Sequence, residues 1–543
     1  VGEKNLDRFS NKKIRSDYEM ASIMQAAWRT MTRRFLTVCV SESAKQRQHA
    51  LVKRLLSATT SFSSPTTNQK IAIAMSGGVD SSVVAYLLSQ QFASQKLVGI
   101  HMSNWDFQEE GDYSSNCWEQ DWKDVQQVAQ HLQIHQLHHV SFQKEYWNDV
   151  FAPYCHQVSQ SITPNPDVDC NRYIKFGILK QYLQDRYQIH TLATGHYARL
   201  WDRSQPNHGD TAAMPLYLEK ALEEESDNAL VEYLMEPSTR HVPILLAARD
   251  SSKDQSYFLS GVPAQNFANV LFPLGDYYKS QTKVTNDMEI VNDHDKPSTQ
   301  MTVRELAQQA MLPNASKRDS MGICFVGKRK HGEFLNEYIA PASTTSNAKR
   351  GAQLSLSWEC VNIEDQSVIA KVDPLKHSSL MYATAGQGAK LSGASQKWFV
   401  VEKQINDKNQ TPRLLLCPGT HHPALYSNTL YIKEDKFHWM MNGVAPPLPF
   451  QAKCRIRHLQ PLVSCEIDVS AEGQYVVRLK TPLRGIAPGQ VCAVYAGGKD
   501  SDLICLGGGP IDQRGPTYWD LQIELPSILH PAGHNDLSAM STD

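Results

Sequence analysis

Ile71-Ala-Ile-Ala-Met75, Ser76-Gly77-Gly78-Val79-Asp80-Ser81-Ser82 and Val83-Val-Ala-Tyr-Leu-Leu88 follow one another without interruption. Ile71, Ile73 and Met75 form a short apolar run suited to a buried parallel strand, while Val83, Val84, Leu87 and Leu88 recur at helical spacing. The segment between them is therefore a strand-to-helix turn. Gly77 and Gly78 let it bend tightly and approach a ligand without Cβ clashes, and the amides at the start of the helix can face an anion. Ser76, Ser81 and Ser82 add hydroxyl groups. The lysine of a Walker loop is missing, so phosphate is read in another way.

Ser76 to Ser82 resembles the pyrophosphate loop of ATP pyrophosphatases, which cleave ATP to AMP and pyrophosphate while adenylating a substrate. Outward from it, strands and helices alternate to about Gly327. Leu97 to Ile100 reads as a strand, Trp122 to Leu132 as a helix, and Thr191 to Thr194 as a strand ending at Gly195. Ligands of open α/β sheets gather at the carboxyl ends of strands, so the turn from Met102 to Trp105 and Gly195 are expected to share one nucleotide site with the Ser76 loop. Residues 202–242 and 281–300 are polar, without a sustained apolar period, and read as surface insertions.

Beyond Gly327 one helix ends with Phe334, Leu335 and Tyr338, and short strands then take over. Val368 to Val372, Lys397 to Glu402, Arg413 to Cys417, Leu430 to Lys433 and Tyr475 to Leu479 are separated by Gly, Pro and Asn turns, as in a β-barrel or sandwich. A chain of 543 residues fits two to four domains. The expected division is a leader at 1–69, an α/β catalytic domain at 70–327, a small central domain at 328–397, a β-barrel at 398–525 and a disordered tail at 526–543.

The net charge of -2 excludes a whole-chain basic field, so any RNA surface is a local patch. Eleven cysteines without dense spacing exclude a secreted disulfide scaffold, and with no Cys-x-x-Cys pair no structural zinc or iron–sulfur site is expected. No apolar run is long enough to span a membrane. From Met20 to Lys70 eight Lys and Arg residues face one acid, Glu42, amid many Ser and Thr. That is the composition of an organellar transit peptide, with Met20 or Met24 as candidate starts.

Two further stretches carry chemistry: Thr163-Pro-Asn165-Pro166-Asp167-Val-Asp-Cys170-Asn171 and Lys317-Arg-Asp-Ser-Met-Gly-Ile-Cys324-Phe-Val-Gly327. Each puts a cysteine among polar, Gly- or Pro-punctuated residues where packing explains it poorly. Lys317, Arg318 and Lys328 beside Cys324 favour its thiolate. The other nine cysteines are read as small buried hydrophobes.

With Gly195-His196-Tyr-Ala-Arg199, Lys253-Asp254-Gln255-Ser-Tyr-Phe258, Phe272-Pro-Leu-Gly-Asp276 and Ala487-Pro-Gly-Gln490, these stretches resemble the tRNA-specific 2-thiouridylase family over about Ile71 to Ile511, and the leader suggests its mitochondrial form. The resemblance implies an ATP-pyrophosphatase domain (adenine nucleotide alpha hydrolase-like), a central domain and a β-barrel. It implies that ATP, with Mg2+, adenylates the C2 oxygen of the wobble uridine at tRNA position 34 and that a persulfide delivers sulfur to C2. Cys324 would carry the persulfide, Cys170 would attack it and form a disulfide with Cys324, and Asp167 would be the acid/base beside the uridine. Ser76, Gly77, Gly78, Val79, Asp80, Ser81, Ser82, Met102 and Gly195 would hold ATP. Asn165, Pro166 and Asp167 would meet the target uridine, and His196, Lys253, Asp254, Gln255, Arg455, Ile456 and Gln490 would touch tRNA. Acceptors for Lys, Glu and Gln and a cysteine-desulfurase relay are the implied partners.

Arg455 and Arg457 alternate on one predicted strand and so share a face fit for phosphates. The family's Thr-Ile-Gly-Gln-Arg segment stands here as Thr384-Ala-Gly386-Gln387-Gly388, without the arginine. Two rival functions are an adenylating amide synthetase with the same loop, which would leave the two cysteines idle, and a non-catalytic RNA-binding relative. Incorporation of sulfur into tRNA separates them.

Overall fold

Ile71–Ala74 forms β1, and its flanking strands explain why every residue in it is apolar. The computed structural model describes residues 69–105, 117–201, 229–236, 242–280, 301–319, 331–339, 357–373, 376–391, 396–404, 411–497 and 503–527, with the single residues 218, 393 and 529. The leader, the segment 281–300 and Cys324 lie outside them. β1 is the centre of a parallel five-stranded sheet of order β3-β2-β1-β4-β7, with β2 at Leu97–Ser103, β3 at Gln136–Ser141, β4 at Thr191–Ala193 and β7 at Val270–Leu271. Ile71, Ile73 and Met75 enter one core cluster, with Val83, Val84 and Leu88 of helix α1 (Val79–Ser89). Ala72 enters the other, with Val98 and Ile100. A strand covered on both faces needs apolar residues at every position.

Helix α2 spans Cys117–His131 and lays Val125, Val128 and Ala129 on the α1 side of the sheet. The Met102 region is not wholly a turn: Met102 and Ser103 close β2, and only Asn104 and Trp105 lie beyond it.

The stretch around Cys170 is a correction. Only 163–165 is loop; Pro166–Asp169, Cys170–Ile178 and Leu179–Tyr187 run on as one helix, α3, whose middle segment has π-type pairing. Asn165 Oδ1 accepts the Asp167 amide at 3.2 Å and Pro166 holds the first helical position. Asn followed by Pro is the signature of a helix start, because proline lacks only an amide that has no partner there. Cys170, 4% exposed, packs into the core cluster.

The segment read as a polar insertion also differs, since Ala229–Leu234 is a helix with Leu230, Val231 and Leu234 buried. It lies between β5 (Arg199–Trp201) and β6 (Ile244–Leu246), which pair antiparallel with each other and stand outside the parallel sheet.

β5 and β6 instead extend the C-terminal sheet. Its path is β20-β13-β17-β16-β15-β18-β19-β6-β5, and the link between domains is Ile504 opposite Leu246. The C-terminal strands are β13 (Tyr426–Lys433), β14 (His438–Trp439), β15 (Phe450–Arg455), β16 (Val463–Val469), β17 (Gln474–Arg484), β18 (Val491–Ala496), β19 (Ile504–Pro510) and β20 (Gln513–Arg514).

A separate central sheet orders its strands β10-β11-β12-β8-β9: β8 at Trp358–Asn362, β9 at Val368–Val372, β10 at Gly388–Ala389, β11 at Trp398–Gln404 and β12 at Arg413–Pro418. The boundary expected at 397/398 thus falls inside this sheet, because the period of a strand does not identify its partner.

Candidate active site

The turn after β1 requires its first glycine. Gly77 has φ +78, and a Cβ there would lie 2.7 Å from the Asp121 carbonyl oxygen of α2. Ser81 Oγ accepts the Ser76 amide at 3.1 Å and donates to Gly78 O at 3.1 Å, and Ser82 Oγ donates to Gly78 O at 2.9 Å. The hydroxyls thus hold the loop's shape, while the first-turn amides have no partner further back in the helix. Gly195, after β4, closes on the same helix start: a Cβ there would meet the Ser81 amide nitrogen at 3.1 Å. The two segments expected to share a site do touch.

The charges around this loop were not legible in the sequence. Asp80 accepts the Tyr197 hydroxyl at 2.8 Å and the Lys279 ammonium at 2.5 Å, although Lys279 lies 199 residues away and its side chain is only 4% exposed. Lys279 also reaches Asp319 at 3.1 Å, and Asp319 is bridged by Arg304 at 2.7 Å and Lys253 at 3.2 Å. Burial works against the Asp319 carboxylate, but Lys279 and Lys253 outweigh it and lower its pKa. Burial and then the Asp80 charge push the Tyr197 phenol up, so Tyr197 remains a donor. The only sequence signal for Lys279 was its place three residues beyond Asp276 of the quoted Phe272 motif.

Asn314 and Lys317 complete the rear of the loop. Asn314 Nδ2 donates to Gly77 O and to Ser82 Oγ, each at 2.9 Å, and Lys317 Nζ donates to Gly77 O at 3.1 Å. Lys317 also pairs with Asp121 at 2.7 Å and Asp124 at 2.5 Å. Burial opposes its charge, and the hydrogen bonds it donates to the two aspartates overcome this and raise its pKa. With two carboxylates balancing it, Lys317 braces the phosphate loop, and Cys324, whose thiolate it was expected to favour, lies outside the described residues.

His196, one residue past Gly195, links the loop to α3. Its Nδ1 lies 2.8 Å from Thr194 Oγ1, and its ring packs between Phe176 of α3 and Phe272. Burial, with Lys175 adding to it, lowers its pKa well below the usual histidine range, so His196 is neutral. Asp167 has its pKa raised by burial, with Lys175 opposing, and Asp169 is pushed up to about 6 by burial against the pull of Arg172. Beside Cys170, Asn171 donates to Phe258 O at 3.1 Å.

Cys324 lies outside the described residues, of which Asp319 and His331 are the nearest on either side. Asp319 is tied to Lys279 and Arg304. His331, the first residue of helix α4 (His331–Ile339), lies 2.6 Å from the Tyr154 hydroxyl, and the charge of Asp167 helps raise the Tyr154 pKa after burial and the neighbouring Cys155 and Tyr382.

Several residues expected at a tRNA surface are internal. Asp254 is 1% exposed and pairs with Arg455, itself 6% exposed, at 3.3 Å; Ile456 is 0% exposed. Arg457 falls beyond β15 and donates to Gly485 O at 2.6 Å and Ala385 O at 3.2 Å. The two arginines therefore do not share an open strand face. Breaking a buried pair such as Asp254–Arg455 costs about 3–5 kcal/mol, because it strands a charge, so the pair fixes the catalytic domain against the barrel. Gln255 holds Tyr197 at both backbone groups, with its Oε1 accepting the Tyr197 amide at 3.0 Å and its own amide donating to Tyr197 O at 2.8 Å. Lys253 is half-buried on Asp319, which Lys279 joins to Asp80.

A parallel sheet, a glycine–serine turn after its central strand and cations converging on that turn define a nucleotide-binding enzyme of the pyrophosphate-loop class. Residues 69–301 and 292–328 match the family model described as tRNA methyl transferase HUP domain, and 427–511 match the aminomethyltransferase beta-barrel domain. The tRNA-specific 2-thiouridylase MnmA of Chlamydia pneumoniae is 34% identical over 447 residues, covering 82% of this chain and 97% of the relative. Mitochondrial tRNA-specific 2-thiouridylase 1 of Danio rerio is 32% identical over 460 residues, with 83% and 93% covered, and that of Mus musculus is 32% identical over 463, with 83% and 93% covered. The chain belongs to the tRNA-specific 2-thiouridylase family.

Proposed function

We propose that this protein is a tRNA 2-thiouridylase that adenylates the C2 oxygen of the wobble uridine and replaces it with sulfur. The observation that carries this reading is the junction at Gly195-His196: Gly195 closes on the phosphate loop and His196 packs against the helix of Asp167 and Cys170. A carbonyl oxygen is a poor leaving group, and phosphate activation beside a thiol removes that barrier.

In the first step the uridine C2 oxygen attacks the α-phosphorus of ATP and pyrophosphate leaves. The first-turn amides of α1, with Lys279, Lys253 and Arg304 clustered on Asp80 and Asp319, would stabilise the charge that develops on the phosphates. Asp80 would offer one carboxylate to a magnesium ion arriving with ATP, and the ion would neutralise phosphate charge. Asp167, whose raised pKa brings it closer to neutrality, exchanges the proton of the uridine ring.

In the second step the Cys170 thiolate attacks the Cys324 sulfur of the persulfide. The persulfide S–S bond breaks, the Cys170–Cys324 disulfide forms, and the terminal sulfur leaves as hydrosulfide with the bonding electron pair. Hydrosulfide attacks C2, and AMP departs with the original oxygen. An external thiol then reduces the disulfide. Wobble-uridine tRNAs for Lys, Glu and Gln are the proposed acceptors, a cysteine-desulfurase relay the donor, and the mitochondrion the compartment.

The purified full chain, given ATP, Mg2+, sodium sulfide with a reducing thiol, and a tRNA transcript bearing U34, forms 2-thiouridine detectable by nucleoside mass spectrometry. AMP formation with ammonia incorporated in place of sulfur would instead support an amide synthetase, and no ATP-dependent chemistry on tRNA would leave an RNA-binding role.

A further inference from the structure

The catalytic helix α3 enters through the loop 163–165, and the barrel grips that loop. Ala487-Pro488-Gly489-Gln490 forms a turn in which the Gln490 amide donates to Ala487 O at 3.3 Å. Proline at its second position and glycine with φ +87 at its third are the residues such a turn needs. The turn is fixed to the end of β19 by Gly489 N to Ile511 O and Ile511 N to Gln490 O, each at 2.8 Å. From this base, Pro488 O accepts the Thr163 amide at 3.0 Å and Gln490 Nε2 donates to Thr163 O at 3.0 Å. The backbone of Thr163 is thus held at both its donor and its acceptor.

Contact here is close enough to exclude any side chain on the glycine. A Cβ at Gly489 would collide with the Ile162 side chain and would lie 2.9 Å from Thr163 C. A third tie runs through Tyr257, fully buried, whose hydroxyl donates between Val491 O at 3.1 Å and Ile456 O at 3.2 Å and also meets the Asn165 side chain. Asn165 caps α3 at the Asp167 amide. Two residues after the grip, at Asn165, the helix start is set, and with it the positions of Asp167 and Cys170.

We infer that the Ala487–Gln490 turn of the barrel is a positioning latch for the catalytic helix, with Gln490 acting on the reaction through Thr163. The inference rests on the proposed roles of Asp167 and Cys170. One amide hydrogen of Gln490 is committed to Thr163 O, so its loss shows in the chemical step even when tRNA is saturating. Cys170, 4% exposed, reports the latch independently of activity: a loosened helix start lets alkylating reagents reach it.

The test uses the full chain with Gln490→Met, which keeps side-chain length but has no donor, and Gly489→Ala as a second variant. Single-turnover thiolation at saturating tRNA, tRNA Kd by filter binding, and iodoacetamide labelling of Cys170 located by peptide mass mapping are measured. For Gln490→Met the expected results are a rate lower by about tenfold, the effect of one lost hydrogen bond, a Kd within about twofold of the parent, and faster Cys170 labelling. Gly489→Ala shows the same pattern in a stronger form. A weakened Kd with an unchanged saturating rate, or labelling and rate both equal to those of the parent, overturns the latch. A parent protein that makes no 2-thiouridine but still shows faster Cys170 labelling in the variants overturns the proposed reaction and leaves the latch standing.

Discussion

Asp80→Asn abolishes tRNA-dependent pyrophosphate release, with a fall of at least about a hundredfold, the scale set by loss of one preorganised charge in a catalytic site. Asp80 stands in the first turn of α1, and its carboxylate accepts both Tyr197 and Lys279. Asparagine keeps the shape but removes the charge that orients the Lys279 ammonium and that a phosphate-bound magnesium ion would use. Lys279 retains Asp319 at 3.1 Å, so its buried charge still has a partner and the fold persists.

Lys279→Ala causes a loss of similar size, since among the described residues it is the only cation paired with Asp80. Ser81→Ala also removes activity, because the Ser76 amide loses its acceptor and the loop its shape. The measurement is release of pyrophosphate at saturating ATP and tRNA, beside a thermal melt of each variant. Unchanged release by a folded Asp80→Asn protein would rule out this role for the loop.

The second large effect separates the two cysteines. Cys170→Ala makes no 2-thiouridine yet still accumulates persulfide on Cys324 when a sulfur donor is supplied, whereas Cys324→Ser forms no productive persulfide. Both variants bind ATP as the parent does, since neither thiol belongs to the phosphate loop.

Burial decides the choice of substitution. Cys170 packs with apolar neighbours at 4% exposure, so alanine avoids the penalty of about 1–3 kcal/mol for an unsatisfied buried hydroxyl in Cys170→Ser. The proposed reaction requires a thiol in this position to gain access to Cys324. The π-type segment beginning at Cys170 is the part of α3 where the backbone pairing departs from the regular helix, a feature common at functional sites. Mass spectrometry of trapped persulfide, run beside thiolation of a tRNA transcript, decides the matter. Full thiolation by Cys170→Ala, or parent persulfide confined to another cysteine, overturns the assignment.

What the sequence determined by itself was local. The run from Ile71 to Leu88 encodes its strand, turn and helix through apolar period and glycine placement, and each depends only on residues close in the chain. Asn165-Pro166 was equally local: of the two prolines that punctuate the approach to Cys170, the second stands at a helix start. The strands after Gly327 were legible as strands for the same reason.

Tertiary structure decided everything that depends on which distant segment covers which. Lys279 reaches Asp80 across 199 residues, and no period or spacing connects them. Lys317 and Arg455 look like free cations in the sequence, yet the fold sets them against Asp121, Asp124 and Asp254. Charges act through space, and the desolvation that fixes their role appears only once the chain has closed around them. Sheet membership follows the same rule: β11 and β12 carry a clear strand pattern, but hydrogen bonding to β8 and β10 is what places them in the central sheet. Backbone conformation is largely a property of neighbours in sequence, whereas ion pairing, burial and strand partnership are properties of neighbours in space.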